Sequence, residues 1–298
     1  MQKMSFSKLL VGVDLTEISD AVINSAKQIA GIFGAKLYLT TIIEPPMPVL
    51  SVEPDTFLEA EELSILLELE KELQKEAKEK LEKYASDLSN EGYSVETIVE
   101  VGNIIDTILD LIEEKETDLL VIGSHKKGLI DKFLLGSVSE KLINKSPVST
   151  LIVKGKQIDK LEKLLVGYDF LPNSKEALLT AEEIAVSTNG EIFIVHADTD
   201  IKFAHIKSVY KTIEEKKKQI LQEIVSDLNS KGISAFFEIL KEPAVEAILE
   251  EIEKYNPDLV VLGKRKSSSL KRLFLGTTAQ KIVENAPSPV LIVRRKNE

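Results

Sequence analysis

The sequence contains one pattern twice, and this constrains the fold more than any other feature. Lys8-Leu9-Leu10-Val11-Gly12-Val13-Asp14 returns as Lys163-Leu164-Leu165-Val166-Gly167-Tyr168-Asp169, an offset of 155 positions. Asp118-Leu119-Leu120-Val121-Ile122-Gly123 returns as Asp258-Leu259-Val260-Val261-Leu262-Gly263, and Leu134-Leu135-Gly136-Ser137 as Phe274-Leu275-Gly276-Thr277, both offset by 140. A duplication on this scale makes each half a folding unit of ordinary domain size. The expected domains are residues 1–155 and 160–298, joined by a short linker near Lys154 to Lys160. The two offsets leave copy 1 about fifteen residues longer. Gly34 matches Gly190 and Gly92 matches Gly232, so the extra length falls between Ile43 and Glu91, around Pro45-Pro46-Met47-Pro48. Such a proline cluster excludes regular helix or interior strand.

Within copy 1, short Val/Ile/Leu runs at 8–13, 36–43, 94–101, 118–123 and 149–153 predict buried strands. The stretches 17–33, about 55–90, 103–116 and 137–145 predict helices. Leu66, Leu69, Leu73, Ala77, Leu81, Tyr84 and Leu88 keep the spacing of one apolar helix face. Strands alternating with helices predict an α/β fold, with two tandem open-sheet domains, each a five-stranded parallel sheet covered by helices on both faces. The last strand of each copy, Leu151-Ile152-Val153 and Val290-Leu291-Ile292-Val293, would lie at an exposed edge. Intrachain pairing of the two copies is one way to cover it, and two chains can then associate as a homodimer.

Composition closes several function classes. There is no cysteine, which removes disulfides, thiolate metal sites and cysteine nucleophiles. His125, His196 and His205 lie in different predicted elements without metal-ligand spacing, so no metal is expected. The net charge is −11, and residues 1–155 hold all of the excess, with 16 Lys, no Arg and 27 Asp plus Glu. That balance argues against nucleic acid as a partner. No apolar run approaches the roughly 20 residues that span a bilayer, so the expectation is a cytoplasmic chain with no membrane partner. Neither a Gly-x-Ser-x-Gly elbow nor a Gly-x4-Gly-Lys-Ser/Thr loop occurs.

In an open parallel sheet, ligands bind beyond the carboxyl ends of the strands. The residues there are Asp14 after the first strand, Ile42 to Glu44 after the second, and Gly123-Ser124-His125-Lys126-Lys127-Gly128 after the fourth. Gly136-Ser137-Val138-Ser139 opens the last helix of copy 1. Glycines allow close backbone approach, and a helix N-terminus attracts anions, so a phosphate chain fits between Gly123 and Gly136-Ser137. A carboxylate such as Asp14 accepts hydrogen bonds from a ribose hydroxyl or an adenine amino group.

These residues carry a resemblance. Val11-Gly12-Val13-Asp14, Ile122-Gly123-Ser124-His125, Leu134-Leu135-Gly136-Ser137-Val138-Ser139 and Ser146-Pro147-Val148 together resemble the universal stress protein family, over nearly the whole chain and twice. The resemblance implies an adenine nucleotide alpha hydrolase-like fold, pairing through the last strand, and ATP or AMP as ligand. It implies that Asp14 and Ile42, next to Gly12, face the base and ribose, while Gly123, Gly136, Ser137, Val138 and Ser139 hold phosphates. ATP-binding members carry Gly, two residues, Gly, nine residues, then Gly-Ser or Gly-Thr. Here the middle position is Lys126, with Gly128 two residues on. Lys126 either crowds a triphosphate or pairs with one.

Copy 2 departs further, with Gly263-Lys264-Arg265-Lys266 at the turn, Gly276-Thr277-Thr278 at the helix start, and Asp169 and Ala197 in the base-facing places. Lys264, Arg265, Lys266, Lys271 and Arg272 either form a solvated loop or serve a smaller phosphorylated ligand. The expectation is therefore a stress-associated regulatory protein that binds ATP or AMP mainly in copy 1, and not a conventional enzyme. A slow ATPase is the most catalysis the pattern allows, and a nucleotide-independent scaffold is the competing class. Simpler roles stand beside these. Asp14 and Asp169 could cap the following helices, and the glycines could serve tight turns. The Glu/Lys-rich helix of 55–90 is either a solvated face or a partner-docking surface.

Overall fold

The computed structural model describes residues 6–46, 60–124, 136–198, 207–264 and 276–295. Copy 1 runs β1 (Lys8–Gly12), α1 (Ser19–Phe33), β2 (Lys36–Ile43), α2 (Ala60–Asn90), β3 (Val95–Val101), α3 (Ile104–Lys115), β4 (Leu119–Gly123), α4 (Ser137–Lys145) and β5 (Ser149–Val153). Copy 2 repeats the order as β6 (Lys163–Gly167), α5 (Pro172–Thr188), β7 (Glu191–Ala197), α6 (Lys207–Ser230), β8 (Ala235–Leu240), α7 (Ala244–Tyr255), β9 (Leu259–Gly263), α8 (Thr277–Asn285) and β10 (Val290–Val293).

All ten strands join one sheet, in the order β3-β2-β1-β4-β5-β10-β9-β6-β7-β8. Within each copy every pair is parallel. At the centre β5 and β10 run antiparallel, with Leu151 opposite Leu291, so the two expected five-stranded sheets meet through the strands whose edges needed covering. The apolar runs are continuous because the strands are buried on both faces. Leu9 and Val11 enter a core with α1, α2, α5 and α6, whereas Leu10 enters the opposite core with α3, α4, α7 and α8. Both cores cross the junction unbroken.

Two local expectations shift. The first helix begins at Ser19, not residue 17: Leu15 is left-handed at φ 60°, and residues 16–19 form a separate turn closed by Ser19 N–H donating to Thr16 O at 3.0 Å. Gly34, at φ 62°, closes α1, and the equivalent cap on α5 is Asn189 at φ 53°, not Gly190. Asparagine tolerates that region better than other non-glycine residues. The linker is anchored: Ile158 is 1% exposed and its N–H donates to Ser25 Oγ at 2.9 Å.

Two buried lysines and a half-buried arginine seal the junction. Lys264, just after β9, donates from Nζ to the carbonyls of Ile143 (2.7 Å), Asn144 (3.2 Å) and Ser146 (3.0 Å), the C-terminal end of α4 in the other copy. Lys154, after β5, reaches the Ala286 carbonyl beyond α8 at 3.3 Å. Arg294 donates to Pro147 O through Nη1 and to Ser149 Oγ through its backbone N–H. Carbonyls left over at helix ends take such donors, and the negative end of the helix dipole adds to the attraction. Burial lowers the pKa of Lys154 to about 7 and that of Lys264 to about 8, with Arg294 adding repulsion at Lys264.

An unfolded lysine titrates near 10.4. Both groups therefore bind fewer protons folded than unfolded between their folded values and about pH 10, and stability rises with pH across that window. Thermal unfolding is expected to show a higher Tm at pH 9 than at pH 7, with the rise flattened in a Lys154→Met/Lys264→Met variant. An unchanged slope would show that neither lysine carries the effect.

Candidate functional site

Strand order reverses between β1 and β4 in copy 1 and between β6 and β9 in copy 2, so a crevice opens at the carboxyl end of each pair. In copy 2 this crevice is a cleft of about 230 Å³ on the α7/α8 face of the sheet. Its apolar wall comes from Val195, Ala197, Ala244, Ile248, Leu262 and Ile282; Gly167, Asp169, Gly263, Gly276 and Thr278 line its polar rim.

Three substitutions between the copies decide the character of each crevice. Ile42 and Ile104 of copy 1 stand where copy 2 has Ala197 and Ala244, and both isoleucines pack against the core on that face. The two alanines remove that side-chain volume from the wall of the copy 2 cleft. The third difference is electrostatic: α4 carries Glu140 in its first turn, whereas α8 carries Gln280 at the same place and has no acidic residue there. The Gln280 amide donates from Nε2 to Glu140 Oε1 at 3.3 Å, so that carboxylate stands beside the first turns of both helices.

The aspartates take a role different from the helix caps expected as one alternative. The N-cap positions are Ile18 and Leu171, without side-chain capping bonds. Asp14 Oδ1 instead accepts from Thr16 N (3.1 Å), Thr16 Oγ1 (2.7 Å) and Ser19 Oγ (3.3 Å). Asp169 Oδ1 accepts from Leu171 N at 3.1 Å, and its own N–H donates to Ser174 Oγ. Each closes a turn of the kind Asp favours. The residue after each, Leu15 and Phe170, is held at a left-handed φ of 60° and 63°. Non-glycine residues adopt that conformation at a cost of order 1–3 kcal/mol, and both copies keep it directly beside the crevice.

The glycines have packing duties of their own. A Cβ on Gly263 would lie 2.4 Å from the Asn173 carbonyl oxygen and 2.8 Å from Ser174 N, so the start of α5 lies directly on that strand end. A Cβ on Gly123 would meet only side-chain tips, Val22 Cγ2 at 3.0 Å and Ile18 Cγ2 at 3.2 Å. Gly12 is looser still, whereas a Cβ on Gly167 would lie 2.6 Å from Leu262 Cδ2 in the cleft wall.

Of the residues expected to hold phosphate, Gly136 and Gly276 are the N-caps of α4 and α8, and Ser137 and Thr277 are exposed first residues of those helices. Val138 is half-buried against the α3/α4 core. Ser139 Oγ donates to Gly123 O at 3.0 Å, tying α4 to β4. Lys126 and Gly128 lie outside the described residues, as do His125, His205, Arg265, Lys266, Lys271 and Arg272. Lys264, read as a candidate phosphate ligand, is 3% exposed and directs its ammonium across the junction.

His196 is a cleft-lining residue that sequence reasoning considered only as a metal ligand. Its Nδ1 lies 2.8 Å from Tyr168 O, its Nε2 finds no partner among the described residues, and burial lowers its pKa, so the ring is neutral near pH 7. Ala244 was missed altogether. Aligning α7 with α3 by the 140-residue offset and comparing side-chain sizes would have found it. Among the described residues no cluster of His, Asp or Glu is arranged to hold a metal, and no helix is long and apolar enough to cross a membrane.

Comparison with known proteins agrees with the duplication. The profile of the Universal stress protein family matches residues 5–154 and again 160–294. A universal stress protein of Mycolicibacterium smegmatis is 24% identical over 294 residues, covering 96% of both chains. A shorter one of Methanocaldococcus jannaschii is 38% identical over 89 residues, which span 30% of this chain and 55% of that one. Among solved structures, a universal stress protein of Archaeoglobus fulgidus superposes with a TM-score of 0.72 at 22% identity, covering 99% of this chain and all of that one.

The glycine geometry makes a direct test. Gly263→Ala forces Cβ against backbone atoms and is expected to cost about 1–3 kcal/mol in denaturant unfolding. Gly123→Ala is expected to cost less, because the side chains of Val22 and Ile18 can yield. Equal losses would refute the difference in helix approach.

Proposed function

The chain belongs to the universal stress protein family, and from that premise we propose that it is a stress-associated regulatory protein that binds an adenine nucleotide, ATP or AMP, in the cleft of copy 2. The observation that carries this reading is the cleft itself, at the strand-order reversal and opened by Ala197 and Ala244. Its volume lies just below the roughly 300–1,000 Å³ of typical small-molecule sites, which suits a base and ribose inside and phosphates at the rim. The apolar wall offers the base a slot. Asp169 supplies the acceptor a ribose hydroxyl needs, and Gly276-Thr277-Thr278 presents the N-terminus of α8 to phosphate.

This reverses the ranking of the copies reached from motifs alone. In copy 1 the equivalent wall positions carry Ile42 and Ile104, and the Ser139 hydroxyl serves Gly123. We read copy 1 as the nucleotide-independent half, which keeps the scaffold role for that part of the chain.

Calorimetric titration with AMP, ADP and ATP is expected to give one site per chain. Ala197→Ile/Ala244→Ile should weaken it at least about tenfold, equivalent to about 1.4 kcal/mol, while Ser137→Ala leaves it unchanged. The opposite pattern would move the site to copy 1. Absence of heat and of thermal stabilisation with all three nucleotides would reject nucleotide binding.

A further inference from the structure

The insertion in copy 1 produces the most apolar exposed surface described in the molecule. Helices α2 and α6 end at equivalent positions, Asn90 and Ser230, but α2 begins at Ala60 and is 31 residues long against 24. Its C-terminal half buries Ala77 and packs on the sheet through Leu81 and Leu88. In its N-terminal half no described element covers five apolar side chains: among the described residues Leu63, Ile65, Leu67, Leu69 and Leu73 are 49%, 59%, 49%, 46% and 38% exposed. These are five of the ten large hydrophobic side chains exposed among the described residues, gathered on eleven residues of one helix. Contiguous exposed apolar surface of this kind marks an interaction site, whereas scattered single residues need no explanation.

The charge around the patch selects the partner. Residues 61–76 hold six Glu, at 61, 62, 68, 70, 72 and 76, against Lys71 and Lys75. Two copies of so acidic a segment repel each other, whereas a basic segment is attracted and oriented. Ile65, Leu69 and Leu73 recur at four-residue steps along about 12 Å of helix, with Leu63 and Leu67 forming a second such row, and a partner helix packed alongside spans a stripe of that length. We propose that the N-terminal half of α2 is a docking surface for a basic amphipathic helix of a partner protein. The surface is independent of the nucleotide cleft, which lies in copy 2 on the other face of the sheet.

The test uses the full chain and a fluorescent 18-residue peptide of leucines at three- and four-residue spacing with lysines between, alongside a scrambled peptide of the same composition. Anisotropy titration is expected to show saturable binding of the patterned peptide, weaker with added salt. An Ile65→Gln/Leu67→Gln/Leu69→Gln variant should weaken it at least about tenfold. These side chains are exposed, so the variant is expected to keep its Tm and circular dichroism. Any of three results would overturn the proposal. The wild-type chain could fail to bind the peptide. Variant or scrambled peptide could bind equally, which would move the contact elsewhere, for instance to the acidic groove of about 300 Å³ between α5 and α6. Sedimentation could show a wild-type dimer that the variant dissociates, which would make a second copy the occupant.

Discussion

The antiparallel pairing of β5 with β10 is the contact on which the rest of the molecule depends. It converts two sheets with open edges into one sheet of ten strands, and it lets both hydrophobic cores run through the centre. Backbone hydrogen bonds set the register, but the side chains beyond the strand ends make the joint specific. Each copy contributes a lysine that is stripped of water and satisfied by carbonyls at the end of a helix in the other copy. If the halves slip by one residue while staying packed, an ammonium in that position loses those carbonyls without regaining water. Buried charge adds little net stability against a well-packed apolar alternative, whereas removing its partner leaves an uncompensated charge at high cost.

Much of the architecture was legible because both faces of the sheet are covered. Buried parallel strands are plain apolar runs, and the runs at 36–43, 94–101 and 149–153 predicted β2, β3 and β5 to within a residue. Less legible were the places where a side chain resets the backbone. Asp14 folds its carboxylate onto Thr16 and Leu15 turns left-handed, and a separate turn over 16–19 precedes α1. Asn189 replaces the capping glycine of the other copy, so matching glycine to glycine misaligned the repeat by one position.

The site was legible in outline and not in detail, for a physical reason. Motif reading finds glycines, helix starts and acids, which describe how a backbone can approach a ligand. It does not weigh volume. Ile42 against Ala197 and Ile104 against Ala244 are ordinary apolar pairs in a sequence, and only the tertiary arrangement brings Ala197 and Ala244 to the wall of one cleft. Lys264 shows the converse. In the string Gly263-Lys264-Arg265-Lys266 it reads as one of a row of solvated cations, and only the tertiary arrangement turns it inward to α4.

The central antiparallel pair also sets where each crevice opens. Strands of copy 1 point one way along the sheet and strands of copy 2 the other, so the carboxyl ends, and the mouths beside them, face opposite rims of the molecule. A single small ligand cannot touch both, and a protein that reads the occupancy of one mouth is blind to the other unless it reaches across the full height of the strands. The duplication therefore supplies two independently addressed rims, free to diverge in the volume and charge of their crevices without disturbing the joint that holds them together.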